Sequence, residues 1–372
     1  MAEVPVNGKV LKWARAIRGL DIDQAAMLLD LSADELREYE LGTKRPLVGL
    51  LRKMSAKYRI NFSSLLMPEP LPIKNPPTDY RFRHTERHLS IDTLVAIEEV
   101  NEALDAFEDF AAENIHLVPK LSLGTAAMTD DPEAIAERER KKFGVTLAEQ
   151  MSWQHGPATA RREWRKKIED HGIFTYMIPM PAAELSGFSI CRKSVAAICV
   201  NDNEATEGRK VFTLFHEYCH LLLRQDGISD ENNSNQIEKF CNAFAASFLL
   251  PRNALAEAVG NRTQHEFSES EVRKIASRFR VSNAAVALRL EKTGFAPKGF
   301  YGRRIPWDLP EEPKDVRGGT PNQINIQLKR IGRLHAATVL RAVNQHVINT
   351  FDASQLVGLQ PSSLPKLQAK VG

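Results

Sequence analysis

Apolar positions follow three different rhythms along this chain, and each predicts a different kind of element. From Val10 to Leu66 they recur every three or four residues in short blocks, the mark of amphipathic helices. The run IDQAAMLLDLSADELREYELG reads as a helix from Asp23 and a turn near Leu31 and Ser32. A second helix follows, capped by Ser32 with Glu35 three residues on and closed by Gly42 and Pro46. Two further periodic pieces, LVGLLRKMSAKY and FSSLL, complete the region. Leu89 to Ile115 predicts one long helix, with Ile97, Val100, Leu104, Phe107 and Ala111 on one face. Glu98, Glu99, Glu102, Asp105, Glu108 and Asp109 fall outside it, as expected of a connecting helix or a dimer seam. Pro132 to Phe143 and Ala158 to His171 continue the helical rhythm, the latter stopping at Gly172.

The rhythm then shortens. Ile173 to Ile178, Gly187 to Cys191 and Val195 to Val200 are β-branched or alternating runs broken by Pro179, Pro181 and Gly187. They predict three short strands, most simply an antiparallel sheet, whose exposed edge would let an extended peptide add as a strand.

The third rhythm is no rhythm at all. Val211 to Leu223, VFTLFHEYCHLLL, is apolar on every side except at His216, Glu217 and His220, so it predicts a buried helix. Burying two imidazoles and a carboxylate unpaired would cost roughly 2–7 kcal/mol per group. Positions i and i+4 share a helix face, so His216 and His220 can aim two ring nitrogens at one point, with Glu217 beside them. This HExxH spacing is that of a zinc hydrolase, with two ligands and a general base on one helix. The alternative is a helix whose histidines satisfy core hydrogen bonds.

A catalytic zinc takes three protein ligands and leaves one position open. Asp226 lies roughly 9 Å further along the axis if the helix continues unbroken, and off the histidine face. His265 sits far out in a polar stretch, NRTQHEF. Glu238 borders an amphipathic stripe of Ile237, Phe240, Cys241, Phe244, Ala245, Phe248 and Leu249 that ends at Pro251. Asn235 three residues before it also fits a capping box, so the residues alone leave Glu238 open between ligand and cap.

FTLFHEYCHLLL followed by IEKFCNAFAASFLLP resembles the ImmA/IrrE-type metallopeptidases, with GIFTYMIPMPAAELSGFSI and AAICVN extending the likeness over roughly Arg162 to Gly294. The resemblance implies a zincin fold, one zinc ion per chain held by His216, His220 and Glu238, and Glu217 as general base. Asn242 would orient a ligand. It also implies a protein substrate, typically a repressor or other regulator, cleaved in response to stress. Cys219 and Cys241 stand where the family pattern leads one to expect small or apolar residues, and they read as buried thiols. The stretch FSESEVRKIASRFRVSNAAVALRLEKTG, with Ser268 and Glu271 as a capping pair, repeats a helix-turn-helix pattern. In the resembled family this unit packs on the peptidase core.

The N-terminal helices resemble the XRE-type repressor fold, which would set Ala33 to Tyr39 in the major groove of double-stranded DNA. Ser32, Arg37, Lys44 and Arg45 are the candidate DNA contacts, with Lys53 and Arg59 near enough for phosphates. That helix is acidic, however, with Asp34, Glu35, Glu38 and Glu40 against Arg37, so a protein-docking module is the rival reading.

Composition changes this picture little. The net charge of +3 is too small to argue for nucleic acid by itself. No run approaches the length of a membrane span, MAEVPVNGK lacks a signal-peptide core, and four cysteines without paired spacing suit a reduced, cytoplasmic protein. Met67 to Thr78 is proline-rich and semi-extended, and His84 and His88 in DYRFRHTERH read as a solvated basic cluster. GRRIPWDLPEEPKDVRGG reads as a loop, and Asn322 to Phe351 returns to helical spacing.

The expectation is an α+β, mostly helical chain. Residues 1–67 form the helix-turn-helix domain, 68–80 a linker, 81–157 a helical connection, 158–295 the zincin-like core and 296–372 a C-terminal region. Its function would be zinc-dependent cleavage of a regulatory protein, with a homo-oligomer compatible and no membrane partner. The rival is a DNA-binding regulator or antitoxin-like partner with a structural or inactive zinc core. Oxyanion stabilisation has three candidates in Tyr218, Arg209 and Tyr301.

Overall fold

In the computed structural model, residues 3–70, 89–114, 116–153, 157–224, 231–260, 262–302 and 322–371 are described. They form two units, one running to residue 70 and taking in residues 89–99, the other from Val100 onward. The linker beyond residue 70, His84 and His88, Asp226 and the 303–321 loop lie outside the described residues.

In the first unit, helices α1 (Gly8–Ala16), α2 (Ile22–Leu29), α3 (Ala33–Leu41) and α4 (Val48–Tyr58) precede a short 3-10 turn, Phe62–Leu66. Ser32 and Gly42 cap α3 as the sequence predicts, whereas α2 opens at Ile22, ahead of the expected Asp23, on a cap that the pattern did not mark. Asp21 and Gln24 close a capping box on α2, Asp30 adopts a left-handed conformation after it, and the Ser32 hydroxyl accepts the Glu35 N–H at 3.1 Å. Leu11, Leu29, Leu36, Leu51, Met54 and Leu65 meet in the centre. Gly8 is required where α1 crosses the end of α3, since a Cβ there would lie 2.8 Å from the Tyr39 carbonyl oxygen.

The second unit is mostly helical around one small sheet. Helix α5 (Ile91–Glu113) buries Val100, Leu104 and Phe107 as its spacing predicts. Two of its outward acids, Asp105 and Glu108, are not idle: both hold Arg192 in the turn between two strands. Helices α6 (Pro132–Phe143), α7 (Leu147–Ser152) and α8 (Pro157–Glu169) lead to strands β1 (Ile173–Ile178), β2 (Gly187–Cys191) and β3 (Ala196–Asn201).

The sheet is mixed, which corrects the expectation of an antiparallel one. Its order is β1-β3-β2, with β3 parallel to β1 and antiparallel to β2. The reason lies between β1 and β2, where Pro179 and Pro181 forbid a tight hairpin and the longer connection leaves a slot that β3 fills. β1 and β3 are buried along their whole length, whereas β2 alternates. Among the described residues no strand pairs with the outer edge of β2.

Helix α9 (Glu207–Leu223) packs across the sheet, and α10 (Glu231–Leu249) lies against α9. Their shared back face is aromatic: Phe215 stacks on Phe248 at 4.0 Å, and Trp164 and Phe143 close edge-on around them. Pro251 ends α10, and its orphaned terminal carbonyls find buried cationic and amide donors. Arg140 bonds Phe248, Gln150 bonds Leu249 and Arg289 bonds Leu250, at 2.7–3.0 Å. Helices α11 (Arg252–Val259), α12 (Glu269–Phe279) and α13 (Asn283–Lys292) follow, α12 opening with the Ser268–Glu271 capping box.

Helix α14 (Gln323–Asn344) lies against β1, followed by α15 (Thr350–Val357) and α16 (Leu364–Val371). It breaks at Gly332, where φ is 81° and ψ is 164°. The buried Glu169 carboxylate takes the freed N–H groups of Arg333 and Leu334 at 3.1 and 3.2 Å and pairs with the equally buried Arg165. A Cβ on Gly332 would collide with that carboxylate and come within 2.8 Å of the Thr175 carbonyl oxygen. No helix among the described residues is long and apolar enough to cross a membrane.

Candidate metal centre

The polar residues of α9 sit on two adjacent faces. His216 and His220 look toward α10, while Thr213 and Glu217, also four apart, look toward β2. The helix starts where the Thr206 side chain accepts the Arg209 N–H, and the aromatic cluster clamps its back. His216 and Glu217 retain only 6% and 7% of their exposure, which makes unpaired polarity there expensive.

α10 brings Glu238 to the histidines. One carboxylate oxygen lies 3.3 Å from His216 Nε2 and the other 3.3 Å from His220 Nε2, and the two Nε2 atoms are 3.1 Å apart. Asn242, one turn further along α10, accepts from His216 Nδ1 at 3.0 Å. That bond puts the ring proton on Nδ1 and leaves Nε2 as a lone-pair donor facing its neighbours. α10 begins at Glu231, so Asn235 and Glu238 lie inside the helix and the capping alternative falls away.

This donor set fits a metal ion. A tetrahedral zinc with bonds of about 2.0–2.1 Å separates neighbouring ligand atoms by about 3.3 Å. The spacings among His216, His220 and Glu238, 3.1 and 3.3 Å, are close to that size, with a different Glu238 oxygen facing each ring. Glu217 also lies within 4.8 Å of the two imidazoles. Of the two carboxylates, Glu238 touches both rings, whereas Glu217 Oε2 is engaged by the Ser189 hydroxyl of β2 at 2.9 Å.

The charges respond to this crowding. Burial would raise the Glu238 carboxyl, but the two imidazoles outweigh it and hold the group well below the usual carboxylate range. Burial would likewise lower His220, and Cys241, Glu238 and Glu217 outweigh it and raise it. Cys219 and Cys241 are fully buried free thiols, as the sequence predicts, and burial pushes the Cys241 thiol up.

Other candidates lie elsewhere. His265 rests 3.7 Å from Glu271 and edge-on to Phe267. Tyr218 points away from the histidines and donates to Glu139 at 2.7 Å in the core. Arg209 pairs with Glu204 at 3.0 Å, and Tyr301 places its backbone N–H on Glu291. In the first unit Ser32 serves as a helix cap, Arg37 pairs with Asp34 at 2.5 Å, and Lys44 pairs with Glu35 at 2.6 Å while lying over the Tyr39 ring. Arg45 is exposed.

Sequence reasoning missed Ser189 and Gly187. Both lie on the β2 face toward α9, where a Cβ at Gly187 would sit 2.7 Å from Thr213 Cγ2 and 3.4 Å from Glu217 Cγ. Nothing in GFSIC says which helix that face meets.

Compared with known proteins, residues 168–291 match the family model Peptidase_M78, described as the IrrE N-terminal-like domain. No curated protein matches the chain. The matched segment contains β1 to β3, α9 and α10, hence all of His216, Glu217, His220, Glu238 and Asn242. It supports a metallopeptidase-type function, and the residues before 168 lie outside it.

Proposed function

We propose that this chain is a zinc-dependent endopeptidase that cuts a regulatory protein, with its N-terminal unit serving to dock a partner. The observation that carries the reading is the triangle of His216 Nε2, His220 Nε2 and the Glu238 carboxylate, with a second carboxylate, Glu217, alongside. Zinc, when bound, supplies a Lewis acid for the scissile carbonyl and for water. His216, His220 and Glu238 hold it, and Asn242 fixes the His216 tautomer and ring orientation.

Glu217 takes the proton from the attacking water and returns it to the leaving amine. Its near-complete burial keeps competing water away from that transfer. The outer edge of β2, beside Glu217, is where an extended substrate would add as a strand. A repressor-like protein is the substrate class, in keeping with a helical N-terminal unit of regulator type.

For that unit the docking reading is favoured over DNA reading by a specific observation. Arg37 and Lys44, two of its candidate DNA contacts, are each paired with an acid, Asp34 and Glu35. The rival in which the whole chain is a DNA-binding regulator with an inactive core has no such support.

The test is co-expression of the wild-type chain, or Glu217→Gln, with the proteins encoded beside it. The expected result is a neighbour shortened by the wild type alone, at equal zinc content. Zinc-loaded wild type and variant leaving identical products would remove the peptidase reading.

A further inference from the structure

Ser189 stands at a point the reaction needs and no sequence motif marks. It is the middle residue of β2, paired across the sheet with Ile198, and its side chain leaves the sheet on the α9 side together with that of Cys191. Gly187, on the same face, has no Cβ, and this lets α9 come close enough for the Ser189 hydroxyl to reach Glu217 Oε2 at 2.9 Å. Among the described residues this is the hydrogen bond that the Glu217 carboxylate makes.

We propose that Ser189 is a positioning residue for Glu217, holding its carboxylate in one orientation through both halves of proton transfer. The inference rests on the peptidase reading above. Its physical basis is that the two carboxylate oxygens have separate tasks, the Ser189 hydroxyl anchoring Oε2 while Oε1 faces the reacting groups. Toward ionised Glu217 the hydroxyl donates to Oε2, as observed; once Oε1 has taken a proton from water, Oε2 is the carbonyl oxygen of the acid and still accepts from the same hydroxyl. The carboxyl group therefore keeps one rotamer while its charge changes, and Oε1 stays directed at water and leaving amine. No proton passes through Ser189, so no bond is made or broken there.

The test uses the full-length, zinc-loaded protein and the decapeptide that the wild type cuts fastest in a mixed-sequence library. Ser189→Ala should lower kcat about ten-fold, the usual worth of a hydrogen bond to a charged group, while KM stays within about two-fold. Zinc content, the visible spectrum of the cobalt-substituted protein and melting temperature should not change. Ser189→Thr should recover most of the loss. In a Glu217→Gln background the same Ser189→Ala change should alter the residual rate less than about two-fold, because its effect acts through Glu217. An unchanged kcat in Ser189→Ala overturns the inference and leaves the peptidase reading standing. So does an equal loss in both backgrounds. A zinc-loaded wild type that cuts no peptide in the library overturns both.

Discussion

Truncating Glu238 to Ala removes the carboxylate that bridges both imidazoles and leaves His216 and His220 as the remaining pair of donors. Stoichiometric zinc should be lost on dialysis, measured by atomic emission; full retention would move the third ligand elsewhere. Asn242→Ala is gentler. Losing the partner of His216 Nδ1 should weaken zinc affinity about 10–100-fold while leaving the fold intact. Glu217→Gln should do the reverse, keeping the metal and lowering kcat about 100- to 10,000-fold, the range for a lost general base. The HExxH residues could be read from the chain because one helix carries all three and its periodicity fixes their directions. Glu238 could not be settled that way, since ligand and cap need the same residue type near a helix start. The position of α10's first turn removes the cap and leaves the ligand role to the zinc measurement.

At the level of elements, α14 is fastened to β1 by groups far apart in sequence, and each fastening has a consequence. Gly332→Ala should destabilise the second unit by roughly 3 kcal/mol or more, because its backbone region is nearly closed to other residues and Glu169 occupies the space for a Cβ. An unchanged melting temperature would mean that α14 straightens without loss. His335, fully enclosed, accepts from the Tyr176 hydroxyl and donates to the Leu356 carbonyl, and burial lowers its pKa from 6.5 to about 4. Both folded and unfolded states are neutral there above about pH 6.5. Below it the unfolded chain takes up a proton that the folded one refuses until about pH 4. Stability should thus fall as pH drops across that window, by roughly 3 kcal/mol. His335→Gln can keep both hydrogen bonds without titrating, so urea melts of this variant should show a flatter pH dependence; identical slopes would contradict the assignment. None of this was legible beforehand. The chain shows helical spacing from Asn322 onward, but the kink exists because of Glu169, a residue in α8. The parallel pairing of β1 and β3 was hidden for a similar reason, since alternation reports faces and says nothing of neighbours.

Across the whole molecule, the first unit tests the regulatory part of the account. With Arg37 and Lys44 paired to acids, a gel shift on the chain's own promoter should show no discrete complex at about 0.15 M salt. A complex that persists there would return Ser32, Arg37, Lys44 and Arg45 to a DNA-reading role. The second of the paired helices was readable because Ser32 and Gly42 act locally, whereas the pairing of the unit's basic residues depends on side-chain reach between neighbouring turns. The function proposed for the second unit rests on one metal ion, so the most direct measurement is X-ray absorption at the zinc edge of the purified, zinc-loaded chain. The account predicts two imidazole nitrogens and a carboxylate oxygen at about 2.0–2.2 Å, with no sulfur. A sulfur shell at about 2.3 Å, placing Cys219 or Cys241 on the metal, would contradict it.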